Sequence, residues 1–331
     1  MLKTVAGFVL AFLLASAAPA RAADNIVFVI PADLVQLLPI YVAQDRGLWR
    51  DAGLEVKMVT IPSVGGMNAV IAGSADFSFS TGSAITRAAA HGQKLVAIVE
   101  LGNQSGQIIV LRKDVAAAAG FDPAAPLAVR AQSLKGRTIA VGGIGSIADA
   151  FLKVIAHEGG LDANQIVTAP MSAAEFLPAF AQKKIDGFVF GAPFAQQAVV
   201  DGTGVILADG SKPLIPELSP SAAGLLVTRP PYCGEHRAIC AKMGHSMVEA
   251  VAFIDAHPPE SVAILHKHFP AVGEAVLEAS YNVVKAMTPN PPATSALDLA
   301  NSELINVRAG FLKPEEQLKS YDALFTNEFV K

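Results

Sequence analysis

Apolar positions along the first half of the chain follow two rhythms, one with the period of strands and one with the period of helices. Residues 25–30 form a continuous apolar run of strand length, stopped by Pro31. Leu37, Leu38, Tyr41 and Val42 then share one helical face, and Gly47 stands where a C-cap glycine is expected. Residues 54–59 alternate as a half-buried strand does. The loop Ser63-Val-Gly-Gly-Met67 opens a helical run to Gly73. Phe77 and Phe79 alternate with Ser78 and Ser80 in a strand that ends at Ser80-Thr-Gly-Ser83 and a helix over residues 84–90. Strands over residues 95–100 and 107–111 flank the polar turn Gly102-Asn-Gln-Ser-Gly106, and Arg112-Lys-Asp114 closes this unit.

Residues 116–126, rich in alanine with two prolines, read as an irregular excursion. A second unit repeats the first in plan, though not in sequence. Its strand covers residues 137–141, followed by the loop Gly142-Gly-Ile-Gly-Ser146 and a helix over 147–158 capped by Gly159-Gly160. A strand over 165–168, a helix over 172–183 and a strand over 185–190 come next. Gly191-Ala-Pro193 begins another helix, with proline in its first turn, and residues 205–207 are a short strand. A proline-bearing crossing loop leads to a strand over 223–228 that returns the chain to the first unit. Helices over 237–257, 260–268, 273–287 and 297–309 follow, separated by prolines, with a last helix over 314–325. Two α/β lobes, each presenting small polar loops at strand carboxyl ends, predict a ligand cleft between them. The first lobe is expected over residues 23–111 and 226–331, helical C-terminal region included, and the second over 112–225.

The amino-terminal stretch modifies this picture. Lys3, the apolar run over residues 5–18 and Ala20-Arg-Ala22 fit a secretory signal cleaved after Ala22. The mature protein is therefore expected to be soluble and exported. The chain of 331 residues is 52% hydrophobic, enough for two domains with real cores. Its net charge of −4, without a long run of either sign, argues against nucleic acid or an anionic membrane as partner. In an exported chain the close pair Cys233 and Cys240 reads as a disulfide. With His236 and His245 the same segment has zinc-ligand composition but not the usual spacing.

The loops carry the candidate chemistry. Free N–H groups at helix starts favour an anionic or strongly polar ligand. Asp33 is placed either to cap the first helix or to face the ligand. Ser63, Ser80, Thr81 and Ser83 are hydroxyl donors or helix caps; Gly-x-Ser-x-Gly is missing, and no histidine has a placed role beside them. Gly142-Gly-Ile-Gly-Ser146 lacks both the Lys-Ser/Thr ending of a phosphate loop and the dinucleotide spacing. Phe190 and Phe194 could stack on a ligand or pack a core.

Four blocks in order, Gly47-Leu-Trp-Arg-Asp-Ala-Gly-Leu-Glu55, Gly73-Ser-Ala-Asp-Phe77, Ser133-Leu-Lys-Gly-Arg-Thr-Ile-Ala-Val141 and Ala208-Asp-Gly210, resemble the substrate-binding components of ABC importers. The closest branch takes aliphatic sulfonates, taurine or pyrimidine precursors of thiamine. The resemblance covers roughly residues 25–230. It implies a type II periplasmic binding protein fold that closes on a small molecule and hands it to a membrane permease, as a monomer without cofactor or metal. It also implies ligand contacts from Asp33, Ser63, Gly65, Gly66, Ser80, Thr81 and Ser83 in one lobe, and from Gly143, Gly145, Ser146, Phe190 and Pro193 in the other. Many relatives carry tryptophan and an acidic residue in that last segment, where this chain has Phe190 and Ala192, so the resemblance does not transfer ligand identity. A small organic anion, sulfonate or carboxylate, is the expected solute. A pyrimidine or other heteroaromatic is the alternative. A thiamine-precursor enzyme on the same fold would need a cysteine or histidine in the cleft, and a sensor subunit would signal to a membrane kinase.

Overall fold

Strand β1 (Asp24–Ile30) shows why its sequence is an unbroken apolar run. Ile26, Phe28 and Ile30 pack into one hydrophobic cluster while Val29 packs into another on the opposite face. A strand covered on both sides has no polar face to alternate with. In the computed structural model, which describes residues 23–61 and 65–331, β1 lies between β2 (Leu54–Thr60) and β3 (Phe77–Ser80), parallel to both. The expected signal segment 1–22 and Ser63 lie outside the described residues.

The first sheet continues to β4 (Val96–Gly102) through a strand that arrives late in the chain, β10 (Gly224–Thr228). β10 runs antiparallel to both β3 and β4, so the return strand read from residues 223–228 does rejoin the first sheet. The second sheet has the order β7-β6-β8-β5-β9, from β5 (Ile108–Arg112), β6 (Thr138–Val141), β7 (Val167–Pro170), β8 (Gly187–Phe190) and β9 (Gly204–Asp209). This corrects one expectation: the run at 107–111 closes no first unit but pairs antiparallel with β8 and β9 in the second sheet. Its two faces serve two clusters, Ile109 and Leu111 in one and Ile108 and Val110 in the other.

Two crossings join the sheets, residues 103–107 and 210–223. They are tied together where Gly106 N–H donates to the Gly210 carbonyl at 3.3 Å and Gly210 N–H to the Gln107 carbonyl at 2.8 Å. A backbone joint of this kind lets two lobes hinge while holding their axis.

Helices Arg237–Ala256, Pro258–His268 and Glu274–Met287 cover the first sheet and share its main cluster. Helix Ala296–Arg308 belongs to both lobes. Its Leu299 is buried with the first lobe's cluster, and Ile305 with the second lobe's. Arg308 reaches Glu158 of the second lobe at 3.3 Å, while Asn306 donates to the Ser83 carbonyl of the first at 2.8 Å.

Two local expectations fail. The helix expected over 314–325 is replaced by two short 3-10 turns, Pro314–Glu316 and Asp322–Leu324. Buried Glu303 holds the segment between them, accepting from Leu318 N–H at 3.1 Å and from the Tyr321 hydroxyl at 2.6 Å, and Thr326 N–H then pairs with Ala97. These tertiary bonds outcompete helix formation. The alanine-rich stretch is helical over Lys113–Ala118 before it becomes irregular.

Cys233 and Cys240 form a disulfide with Cα atoms 5.6 Å apart, which settles the cysteine reading. Closing so short a loop contributes about 2 kcal/mol in the chain-entropy account. The double change Cys233→Ala/Cys240→Ala is expected to lower the thermal midpoint by a few degrees without altering solute affinity, as differential scanning calorimetry and titration would record.

Candidate functional site

Thr81 follows β3 and opens helix Gly82–Ala90, its hydroxyl accepting the Ala84 N–H at 3.2 Å. Ser146 opens helix Ile147–Glu158 from the second lobe in the same way, accepting from Asp149 N–H at 3.2 Å. Both polar loops therefore start helices as the sequence implies, and both hydroxyls are used as caps. The two helix starts approach from opposite lobes. Between them lies a narrow recess, with a cavity volume of only about 30 Å³.

Six segments line it. Gln36 comes from the loop after β1, and Thr81 and Ser83 from the loop after β3. The crossings supply Ser105, Gln107, Ser221, Ala222 and Ala223, and the opposing helices add Ile147, Ser302 and Ile305. Among the described residues, none in this lining carries a charge, and none is cysteine or histidine. What positive potential the site has comes from the two helix N-termini, each equivalent to roughly half a charge. The second of them is already partly answered. Buried Asp149 accepts from Gly145 N–H at 2.8 Å and pairs with Lys153 at 3.1 Å.

Of the predicted site residues, Thr81 and Ser83 line the recess, their hydroxyls 3.2 Å apart. Ser80 is buried at the end of β3. Gly66 is a packing position: a Cβ there would stand 2.6 Å from Ser78 Oγ, and one at Gly65 2.5 Å from an Ile61 methyl. Asp33 is exposed and caps nothing, because the adjoining 3-10 turn Val35–Leu37 has Leu34 at its N-cap position and no side-chain cap. The loop after β1 reaches the recess through Gln36 instead. Gly143, Gly145 and Ser146 shape the second lobe's turn behind Ile147. Phe190 is held edge-on by Phe176 and Phe194 at 5.3 and 5.2 Å, and Pro193 caps helix Phe194–Val200.

Gln36, Ser105, Gln107, Ser221 and Ser302 were not anticipated. The only local signal was the polar turn over 102–106, which read as a connection, not a wall. Gly106 sits in it with φ 64°, and a Cβ there would come 2.8 Å from the Met287 methyl. Met287 lies in the first lobe's helical cover, so this glycine lets the crossing pass beneath it.

The sequence over residues 28–267 matches the profile of the NMT1-like family. The chain belongs to that family. No curated protein matches it, but solved structures do. The NMT1-like chain superposes on a protein from Bordetella bronchiseptica RB50 with a TM-score of 0.75 at 18% identity, covering 93% of this chain and 96% of the other. On the periplasmic aliphatic sulphonate binding protein SsuA from Escherichia coli the TM-score is 0.66 at 20% identity, covering 87% and 91%. On the periplasmic nitrate-binding protein NrtA from Synechocystis PCC 6803 it is 0.71 at 16% identity, covering 93% and 87%. At such identities the likeness is one of fold. The two-sheet architecture of the NMT1-like chain is that of the periplasmic binding proteins.

Proposed function

We propose that this protein is the solute receptor of an ABC importer, capturing a small organic anion by closure of its lobes and presenting it to a membrane permease. One observation carries the reading: two capped helix N-termini from opposite lobes face a single uncharged, hydroxyl-lined recess beside a two-strand hinge. Helix starts and neutral hydrogen bonds can hold an oxoanion without a counter-charge. A solute touching both lobes binds the closed form better than the open one and shifts their equilibrium by that difference. The sulphonate- and nitrate-binding proteins that share the fold support the anionic choice. The proposal includes a periplasmic location, a monomeric state and release of the solute unchanged. Among the described residues, the lining offers no thiol or imidazole for covalent catalysis. An aromatic solute draws no support, because the Phe190 and Phe194 rings are engaged with each other.

Thermal-shift screening of alkanesulfonates, carboxylates, nitrate and pyrimidines tests the proposal. One anion class is expected to raise the melting midpoint in a dose-dependent way. Stabilisation by pyrimidines alone would overturn it. Ser83→Ala removes a hydroxyl of the lining and is expected to weaken the stabilising anion about ten-fold, the size of one hydrogen bond to a charged group. Isothermal titration would reveal this, and unchanged affinity would take the β3 loop out of the site.

A further inference from the structure

The second lobe carries a basic pocket that solute capture leaves unused. It lies where the chain leaves helix Lys113–Ala118 and comes back to the start of β6. Its volume is about 270 Å³. Arg130, Lys135 and Arg137 line it together with one carboxylate, Asp122. In a chain whose net charge is −4, this pocket holds a surplus of two positive charges. Phe121 and Val129 give it an apolar side. Arg137 stands at the amino end of β6, and the loop that leads to the recess leaves the carboxyl end. The length of the strand, about 13 Å, keeps the two places apart.

Among the described residues, none of the three cations is paired with a carboxylate. Elsewhere in the lobe Arg112 and Lys183 pair with Asp114, and Lys153 pairs with Asp149. Asp122 is turned to its own backbone, accepting Ala124 N–H at 2.9 Å. Arg130 donates to the Ala125 carbonyl at 3.0 Å and to the Leu207 carbonyl, which fixes its charge in the wall. Arg137 differs. Its backbone is pinned, the N–H donating to the Leu134 carbonyl at 3.1 Å and the carbonyl accepting Val167 N–H at 2.9 Å. Its side-chain Nε has no acceptor, although it is shielded from water. A charged donor left bare in this way gains a bond by turning toward an incoming anion.

Charge and shape choose that anion. A single carboxylate or sulfonate answers one of the two surplus charges and leaves the other bare. A phosphate monoester carries about −1.5 to −2 at pH 7 and offers three acceptor oxygens. The Arg137 guanidinium can meet two of them side by side, and Lys135 a third as a point charge.

We infer that this pocket is a second binding site, for a small soluble phosphate monoester whose organic part lies against Phe121 and Val129. It is separate from the recess and does not depend on what the recess takes.

The test is calorimetric titration of the full mature protein with phenyl phosphate, inorganic phosphate, benzenesulfonate and succinate. Phenyl phosphate should bind at one site, at least ten-fold tighter than benzenesulfonate, which has its shape and one charge fewer. Arg137→Gln and Lys135→Gln should each weaken it at least ten-fold, and exposed Lys135 serves if Arg137→Gln does not fold. Ser83→Ala, in the recess, should leave it unchanged. No binding of phenyl phosphate or of inorganic phosphate would overturn the inference. So would binding that Ser83→Ala weakens and the two pocket substitutions do not, since the phosphate would then sit in the recess. Benzenesulfonate or succinate binding within two-fold of phenyl phosphate at this pocket would overturn the phosphate assignment. Co-sedimentation with phosphatidic acid vesicles that Arg137→Gln abolishes would overturn the soluble source in favour of a lipid headgroup.

Discussion

Glu100→Gln is expected to make the protein more stable at neutral and alkaline pH and to flatten its stability between pH 5 and pH 9. Glu100 lies on β4 with no exposed surface, and neither carboxyl oxygen makes a well-formed hydrogen bond, although the Thr294 hydroxyl is near enough to offset a little of the burial. Burial, reinforced by the nearby Asp298 carboxylate, pushes its pKa from an ordinary 4.5 up to about 9. The folded protein therefore holds a proton that the unfolded chain gives up. The stability linked to that proton is complete below about pH 4.5 and declines as pH rises toward the folded value. The slope approaches 1.4 kcal/mol per pH unit, on the order of 3 kcal/mol lost by pH 7. Glutamine keeps the shape, stays neutral and has no proton to lose. Urea unfolding at half-unit pH intervals should show the natural protein weakening with pH while the variant stays level. Parallel curves would mean that Glu100 ionises in the fold at no special cost.

Gly82→Ala should damage both stability and binding. Gly82 is the first residue of the helix behind Thr81, and its N–H donates to the Ala222 carbonyl at 2.6 Å. A Cβ at this position would lie 2.5 Å from Ser302 Oγ and 2.8 Å from the Ala222 carbonyl oxygen. Ser302 can rotate, but the Ala222 backbone is part of the second crossing. The helix start must back away, taking Thr81 and Ser83 out of the recess. Overpacking of this kind costs about 1–3 kcal/mol, a loss of several degrees in melting midpoint for a chain of this size. Solute affinity should fall more than ten-fold. Gly234→Ala, where a Cβ would meet nothing within 4 Å, should change neither. A Gly82→Ala protein that binds as the natural one does would show that the β3 loop can shift without consequence for the solute.

What could be read from the sequence was local in origin. Helix Ile147–Glu158 was placed to the residue, because Gly142-Gly-Ile-Gly-Ser146 and Gly159-Gly160 bracket an unambiguous 3.6-residue pattern. The left-handed Gly47 closing the first helix was readable for the same reason. Strand partners were not. The apolar run at β5 looks the same whether it adds to the first sheet or the second, and only pairing with β8 and β9 decides it. The tail over 314–325 has helical spacing, yet Glu303, remote in sequence, bends it into turns. The site divides along the same line. Thr81 and Ser83 were found because a strand-to-helix loop announces itself. Gln36, Ser105, Gln107 and Ser302 were not, because a recess where six separate segments meet leaves no periodic trace in any of them.

The order of strands in the first sheet has a consequence for how the polypeptide emerges and matures. β10 sits between β3 and β4, so the strands up to residue 102 build a sheet with a missing plank. The second sheet needs nothing beyond β9 and can finish first. Until residues 224–228 arrive, β3 and β4 present bare hydrogen-bonding edges around apolar Phe77, Phe79, Ile98 and Val99. Unfilled edges of that kind invite strands from other molecules. The newborn protein is therefore most vulnerable to clumping over the interval in which its later half is still being delivered, and any chaperone that protects it must hold that gap open.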